Sequence, residues 1–422
     1  MDNTPKGNRL HIALIGRTNV GKSSLLNLML NQDISITSPV AGTTTDVVEK
    51  AMELLPLGPV LFLDTAGLDD ISELSGARLK KTAKVFDRAD VIILITEADT
   101  WTDYEEAVLT EAQNRKIPIL VVINKIDLRK PSPDHLKFLQ QKLGRILTVS
   151  CNDQTKRHNY LEALKQQLLE VAPVDFIGIP SLIGDLLPPG CLAVLVVPID
   201  LQAPKGRLIL PQVQTIRDAL DNDAMTLVVK ERELATALTN LKNPPAIVVT
   251  DSQAILKVTA DVPKDIPVTT FSILLARQKS DLIIMARGAA AIDNLQSGDR
   301  ILIAEACSHH ALEDDIGRVK IPRWLRQYAG GDLQIDISSG RDYPDDLKKY
   351  KLILHCGACM MNRREMLNRL RKAQEAGVPI TNYGVAISFL QGVIKRSLAP
   401  FPAALNAFEE ELDIKKRGKI SD

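Results

Sequence analysis

The sequence is poor in the features that mark several classes of protein. Aromatic residues make up 4% of its 422 residues, and lysine plus arginine balance aspartate plus glutamate at 52 each. This balance gives no global attraction to nucleic acid or to an anionic membrane. No apolar run is long enough to span a bilayer, and the N-terminal segment lacks a secretory apolar core. We therefore expect a cytoplasmic protein with no membrane and no nucleic acid among its partners.

Cysteine is also scarce. The chain has five cysteines, and an odd number in a chain of this length counts against a disulfide framework and favours metal binding or catalysis. With 45% hydrophobic and 25% charged residues, the composition suits a globular protein of two to four domains, each able to bury a core.

What the sequence does contain is a phosphate-binding loop. Residues 11–15 (HIALI) predict a buried strand, GRTNVGKSS fits the pattern G-x-x-x-x-G-K-[ST], and SLLNLML has helical periodicity. In this context backbone N–H groups cradle the phosphates of a nucleotide. Lys22 is expected to reach the β- and γ-phosphates, and the Ser23 hydroxyl to bind Mg²⁺. The residues of the loop predicted to bind nucleotide are Gly16, Asn19, Val20, Gly21, Lys22, Ser23 and Ser24.

Two later apolar runs carry further binding residues. LFLDTAGL supplies Asp64, placed to hold Mg²⁺ through water, and Gly67, whose N–H can contact a γ-phosphate and lose it on hydrolysis. ILVVINKID supplies Asp127, whose carboxylate can accept hydrogen bonds from the N1 and N2 donors of guanine, a pair that adenine does not offer. Asn124 and Lys125 precede it in the same motif. Ser150 and Cys151 follow the next predicted strand.

These motifs resemble those of the translation-factor-class GTPases. The segment AGTTTD (41–46) resembles switch I of the tRNA-modification and ribosome-assembly members, and the resemblance covers residues 10 to about 170. It implies binding of GTP, GDP and Mg²⁺, with Thr44 as a Mg²⁺ ligand and Thr43 beside it. It also implies that Asn19 binds K⁺, as in potassium-activated members. The residues implied in catalysis are Lys22, Thr44, Asp64 and Gly67.

Residues 176–190 are rich in proline and glycine and predict a linker. Three apolar runs with two helical stretches between them then predict a β-α-β-α-β unit without chemistry of its own. We interpret this unit as a self-association platform that makes a homodimer; a unit that docks within the chain is the alternative.

Cysteine and histidine cluster at the ends of two predicted strands in the C-terminal part. The pattern is C-x-H, then 45 residues, then H-C-x-x-C. The side chains concerned are Cys307, His309, His355, Cys356 and Cys359, with Glu313 and Asp314 on the first of the two loops. A structural zinc, a redox pair of two cysteines and a 4Fe-4S cluster held by three thiolates all fit this pattern. A helix with an interruption near Arg287–Gly288 is predicted between the β-α-β-α-β unit and this cluster, from the segment VTTFSILLARQKSDLIIMARGAAAIDNL.

Taken from about residue 8 to residue 402, the chain resembles the HydF family of FeFe-hydrogenase maturation GTPases. This resemblance implies a scaffold and carrier that binds a 4Fe-4S cluster through Cys307, Cys356 and Cys359. It further implies that the protein receives a diiron precursor made with radical-SAM maturases and delivers it to apo FeFe-hydrogenase. The family's motif histidines correspond to His309 and His355. Glu313 and Asp314 are rivals for the fourth cluster position.

The predicted fold class is α/β, with a P-loop GTPase domain followed by two small α/β domains with mainly parallel sheets. The predicted divisions are a GTPase domain (8–170), a linker (171–190), a dimerisation domain (191–264), an iron–sulfur domain (265–405) and a charged tail (406–422). The alternative function is a tRNA-modification or ribosome-assembly GTPase with a structural zinc domain. An iron–sulfur redox module with a vestigial GTPase is a further alternative, which the intact nucleotide motifs disfavour.

Overall fold

The computed structural model describes residues 4–30, 48–65, 83–173, 176, 180–198, 208–306, 315–340 and 342–420, with side chains to residue 414. The chain forms two compact units, Met1–Ile179 and Pro180–Asp422. Some of the predicted site residues lie outside the described residues. They are Thr43, Thr44, Gly67, Cys307, His309, Glu313 and Asp314.

The first unit is built on a six-stranded sheet with the order β2-β3-β1-β4-β5-β6. Its strands are β1 (Leu10–Ile15), β2 (Val48–Leu54), β3 (Gly58–Asp64), β4 (Val91–Glu97), β5 (Ile119–Asn124) and β6 (Ile146–Thr148). Its helices are α1 (Lys22–Leu30), α2 (Asp103–Asn114), α3 (Pro133–Leu143) and α4 (Arg157–Val171), with a further helical segment at 83–88.

The apolar runs of the sequence form the middle of this sheet. Every residue of β1 is buried, and so is every residue of β4 except the last, as expected for central strands covered on both faces. Only the edge strand β2 runs antiparallel, pairing with β3, while the remaining neighbours are parallel. The carboxyl ends of β1, β3 and β5 therefore meet at one edge, where the nucleotide motifs follow them.

The second unit contains two four-stranded sheets, both entirely parallel, with the orders β10-β9-β7-β8 and β12-β11-β13-β14. The first has strands β7 (Leu192–Val196), β8 (Met225–Val229), β9 (Ile247–Thr250) and β10 (Val268–Thr270). The second has strands β11 (Arg300–Glu305), β12 (Gln334–Ser339), β13 (Leu352–His355) and β14 (Ile380–Asn382). Together with the first unit, these sheets confirm the predicted fold class.

Helices connect the strands of both sheets. Those before β11 are α5 (Leu210–Asp221), α6 (Leu234–Asn240), α7 (Ile255–Asp261), α8 (Phe271–Lys279) and α9 (Leu282–Ala289). Those after β11 are α10 (Ile321–Ala329), α11 (Arg363–Glu375), α12 (Tyr383–Leu390), α13 (Ile394–Leu398) and α14 (Pro402–Ile420). Strand β10 belongs to the first of these sheets although it follows residue 264, where the sequence analysis ended the dimerisation domain. The domain boundaries themselves stay predictions.

The predicted helix break near Arg287–Gly288 is wrong. The segment begins with β10 and breaks at Ser280–Asp281, because the Asp281 carboxylate accepts hydrogen bonds from the first N–H groups of α9 and so starts a new helix. Gly288 lies inside α9, where a Cβ would stand 2.0 Å from the carbonyl oxygen of Ile380. This glycine serves close packing of α9 on β14, and it does not interrupt the helix.

The C-terminal residues continue the packed core. Helix α14 covers most of the predicted tail, and Ala407 and Phe408 within it are buried. Phe408 contacts Phe389 edge-to-face at 6.0 Å between ring centroids. Within the described residues, no helix is both long and apolar enough to cross a membrane.

Candidate functional site

The P-loop lies between β1 and α1, and its two motif glycines are required by space. A Cβ on Gly16 would stand 2.5 Å from the Ile95 carbonyl oxygen. Gly21 has a φ of +97°, and a Cβ there would stand 2.2 Å from Nδ2 of Asn124. Asn19 has a φ of 65°, the left-handed conformation that asparagine adopts more readily than most residues. The loop thus follows a path that these residue types permit.

Lys22 is the first residue of α1 and is nearly fully buried. Its Nζ donates to the carbonyl oxygens of Gly16 at 2.7 Å and Arg17 at 3.0 Å, so the ammonium lies across the mouth of the loop. Ser23 follows it on the exposed side of the first turn, and Ser24 is half-buried. Asp64 ends β3 and is buried, and its neighbour Thr65 donates to the Leu14 carbonyl at 2.7 Å.

Asn124 joins three of the predicted motifs. Its Nδ2 donates to the Val20 carbonyl at 2.9 Å, and its Oδ1 accepts from the backbone N–H of Cys151 at 3.2 Å. Asp127 is oriented by the Ser150 hydroxyl, which donates to its Oδ1 at 2.6 Å. Lys125 forms an ion pair with Glu97 at 2.6 Å. The structure therefore brings the P-loop, the NKID motif and the Ser150–Cys151 turn together.

Cys151 contributes through its backbone, and its thiol stays protonated. Burial, with a further contribution from the Asp127 carboxylate, raises the pKa of Cys151 from 9.0 to about 12. A thiol of this kind is a poor nucleophile and a poor metal ligand at neutral pH.

Arg17, inside the P-loop, has a partner that the sequence analysis missed. Its Nη2 donates to Oε2 of Glu105 at 2.6 Å, and Glu105 is fully buried in the first turn of α2. The same carboxylate completes a capping box with Thr102. The sequence does contain the T-x-x-E spacing of a capping box before an amphipathic helix. This spacing predicts the helix cap, but it does not predict that the glutamate also contacts the P-loop.

In the second unit, the cysteine pair lies at the carboxyl edge of the second sheet, directly after β13. The backbone N–H of Cys356 donates to the Ala304 carbonyl at 2.9 Å, extending the pairing of β13 with β11. The Cys356 sulfur accepts from the N–H of Ala306 at 3.0 Å. Ala358 has a φ of 53°, which turns the chain between the two cysteines. Strand β11 thus brings the residues that precede Cys307 beside Cys356.

His355 is fully buried, and both of its ring nitrogens have partners. Arg369 can only donate, so the 3.1 Å contact from its Nη1 makes Nε2 of His355 an acceptor. Nδ1 then carries the proton and donates to the Cys356 carbonyl at 2.9 Å. Burial, reinforced by Arg369, lowers the pKa of His355 to about 3, so the ring is neutral at physiological pH. In this arrangement His355 orients the backbone at Cys356.

Lys279 is the second residue that the sequence analysis missed. It ends α8 with 4% exposure, and its Nζ donates to the carbonyl oxygens of Cys359 at 3.2 Å and Met361 at 3.0 Å. Burial lowers the pKa of Lys279 to about 8, an effect that Cys359 and Cys356 oppose. No sequence signal marks this lysine, because it is placed by a contact across about 80 residues of chain.

Among the described residues, no group of three or more His, Cys, Asp and Glu side chains could hold a metal ion. Cys356 and Cys359 share one turn, and the third predicted thiolate, Cys307, lies outside the described residues. An N–H donor to sulfur and a buried ammonium both stabilise thiolates, so the environment of the pair suits metal–thiolate ligation.

Comparison with protein families accounts for most of the chain. Residues 283–400 match the hydrogen maturase F tetramerization domain, residues 182–280 match the hydrogen maturase F dimerization domain, and residues 11–125 match the 50S ribosome-binding GTPase family. The chain belongs to the HydF family of hydrogenase maturases. It therefore carries the two oligomerisation domains of the HydF family behind a GTPase domain, and the resemblance found in the sequence is confirmed.

Curated relatives match the GTPase domain of this HydF-family chain. The tRNA modification GTPase MnmE of Caldicellulosiruptor saccharolyticus is 34% identical over 165 residues, covering 38% of this chain and 35% of that protein. GTPase Der of Nitratiruptor sp. is 34% identical over 157 residues, covering 34% of this chain and 33% of that protein. The chain spans about a third of the length of these relatives.

Two solved structures are among the matches. The G domain of the FeoB iron transporter of T. maritima is 22% identical with a TM-score of 0.30, covering 39% of this chain and 98% of that chain. A variant of Era from Aquifex aeolicus, bound to GDP and AlF4⁻, is 21% identical with a TM-score of 0.31 and covers 52% of this chain and 93% of that chain.

Proposed function

We propose that this chain is a GTP-hydrolysing scaffold and carrier that binds a 4Fe-4S cluster and assembles or delivers the diiron precursor of FeFe-hydrogenase. The observation that carries the proposal is the Cys356–Cys359 turn, held by backbone donors and a buried ammonium at the edge of a parallel sheet. This turn lies in a chain with the domains of the HydF family.

Cys307, Cys356 and Cys359 would hold the cluster, which supplies an iron site that the thiolates leave open to a further ligand. His309, Glu313 and Asp314, on the same loop as Cys307, are candidates for that position. His355 would act by fixing the Cys356 carbonyl, because both of its nitrogens are engaged. The Ala306 N–H would direct the Cys356 sulfur.

In the first unit, Lys22 would bind the β- and γ-phosphates of GTP, and Asp127 would accept the guanine donors. Ser23, Thr44 and Asp64 would hold Mg²⁺, and Gly67 would sense the γ-phosphate. The hydrogen bonds from Asn124 to the P-loop and to Cys151 support this assignment, since they fix the phosphate-binding and base-binding segments relative to each other. Hydrolysis would then bias the encounters with partners, as nucleotide switches do.

The partners would be the radical-SAM maturases, apo FeFe-hydrogenase and a second copy of the chain. The dimerization and tetramerization domains support self-association. The form that we propose is a homodimer. The diiron precursor is cargo, and the 4Fe-4S cluster is the resident cofactor.

Anaerobic reconstitution with iron and sulfide, followed by metal analysis and EPR of the reduced protein, tests the cluster. We expect about four irons per chain and the signal of a reduced cube, both lost in Cys307→Ser. One tightly held zinc per chain without that signal would refute the carrier function and favour an RNA-directed GTPase with a structural metal.

Potassium activation is tested separately. We expect K⁺ to stimulate GTP hydrolysis relative to Na⁺ in the unaltered chain and not in Asn19→Ala, because a cation beside the phosphates acts where arginine fingers add about 10³–10⁵ in rate. If K⁺ stimulates Asn19→Ala as strongly as it stimulates the unaltered chain, the cation is bound elsewhere and Asn19 is not its ligand. If neither chain responds to K⁺, Asn19 serves only the left-handed turn.

A further inference from the structure

A buried cation, Lys279, holds the turn of the cysteine pair. Besides its contacts with Cys359 and Met361, Nζ of Lys279 lies 3.4 Å from the Ala358 carbonyl oxygen. An ammonium has three N–H donors, and here all three find backbone acceptors in one short segment. Lys279 thus fixes residues 358–361, which contain Cys359 and lie two residues after Cys356.

The contact is reciprocal. Arg363, the first residue of α11, donates to the carbonyl oxygens of Gln278 and Ser280 at the end of α8. Each segment therefore supplies a cation to the carbonyl groups of the other, and the last turn of α8 cannot shift without moving the cysteine turn. The two family domains meet here, since α8 lies in the dimerization match and the turn lies in the tetramerization match.

The charge on Lys279 has no carboxylate opposite it within the part of the chain that the structure describes. Its acceptors are neutral carbonyl groups, which satisfy its hydrogen bonds and leave its charge uncompensated. A buried charge without an opposite charge costs several kcal/mol. Cys356 and Cys359 are the ionisable groups that interact electrostatically with this ammonium.

We propose that Lys279 is a positioning residue that fixes the cysteine turn and supplies the counter-charge for an anionic thiolate–metal centre. The counter-charge role rests on the proposed function, whereas the positioning role does not. Three thiolates outweigh the charge of an oxidised 4Fe-4S core, and one-electron reduction by an external reductant makes the centre more negative still. A fixed ammonium therefore stabilises the reduced centre more than the oxidised one.

Full-length chains with Lys279→Met and Lys279→Arg separate the two roles. Lys320→Met is the control, because Lys320 is a half-buried lysine of the second unit whose ammonium donates to the Gln253 side chain. Without metal, hydrogen exchange of residues 356–362 should be about tenfold or more faster in Lys279→Met, since hydrogen bonds from a charged group are lost. Exchange in β7 should stay unchanged, which shows that the unit remains folded.

After reconstitution, Lys279→Met should lower the reduction potential of the centre, Lys279→Arg should restore it, and Lys320→Met should leave it unaltered. Unchanged exchange in Lys279→Met would overturn the positioning role. A potential that does not move while the cluster is retained would overturn the counter-charge role. An unaltered chain that takes up no cluster would refute the proposed function and the counter-charge role together, and the exchange data would still decide positioning.

Discussion

At the scale of single residues, Cys151 is a buried thiol beside a carboxylate. The pKa of Cys151 is raised by burial and by Asp127, so at pH 8 its thiolate fraction should be about a thousandfold below that of an ordinary thiol. We expect iodoacetamide at pH 8 to leave Cys151 unlabelled in the folded chain and to label it in urea, as measured by mass spectrometry. The rate should rise about tenfold per pH unit up to about pH 12. Labelling at the rate of the urea-unfolded chain would contradict the burial of this thiol.

His355 should stabilise the second unit without binding iron. In His355→Leu, buried Arg369 loses its hydrogen bond to the imidazole, and a hydrogen bond to a charged group contributes about 2 kcal/mol to the free energy of unfolding. We expect a lower urea midpoint with the same iron content after reconstitution. His355→Gln, which keeps an acceptor, should recover part of the stability. Loss of iron from both variants with unaltered unfolding would make His355 a ligand.

At the scale of elements, the start of α2 restrains the P-loop. Glu105→Ala removes both the cap of α2 and the ion pair with Arg17. Since the arginine is partly exposed, we expect nucleotide dissociation to become only about five- to tenfold faster, measured with a fluorescent GTP analogue. Asp103→Ala, an exposed change in the same helical turn, should leave the rate unaltered. If both variants release nucleotide equally fast, the ion pair does not restrain the loop.

The strands and helices also show which structural features the sequence patterns could predict and which they could not. Strands such as β4 and β5 were predictable because continuous apolar runs are typical of central parallel strands, and the cysteine turn was placed correctly at the end of β13. The sequence pattern did not predict the break between α8 and α9, because glycine is the more obvious helix breaker, whereas the capping aspartate Asp281 determines where α9 begins. Lys279 was missed because a lysine in a helix gives no sign of burial until the chain segment that accepts its hydrogen bonds is in place.

For the molecule as a whole, the two units have separate cores. Buried side chains such as Leu14 and Val122 pack within the first unit, and Phe271 and Val385 pack within the second. Separate cores allow one unit to lose its ligand without unfolding the other.

Cys356→Ser tests this independence in the full chain. The serine oxygen is a poor replacement for a thiolate on iron, so we expect iron content after reconstitution to fall to nearly zero. GTP hydrolysis should continue at the unaltered rate, because Lys22, Asn124 and Asp127 are positioned by contacts inside the first unit. Cys191→Ser, at a cysteine outside the cluster pattern, should change neither quantity. If Cys356→Ser loses hydrolysis together with iron while Cys191→Ser keeps both, occupation of the cysteine site controls the GTPase. The two units would then be energetically coupled, and their activities would not be independent.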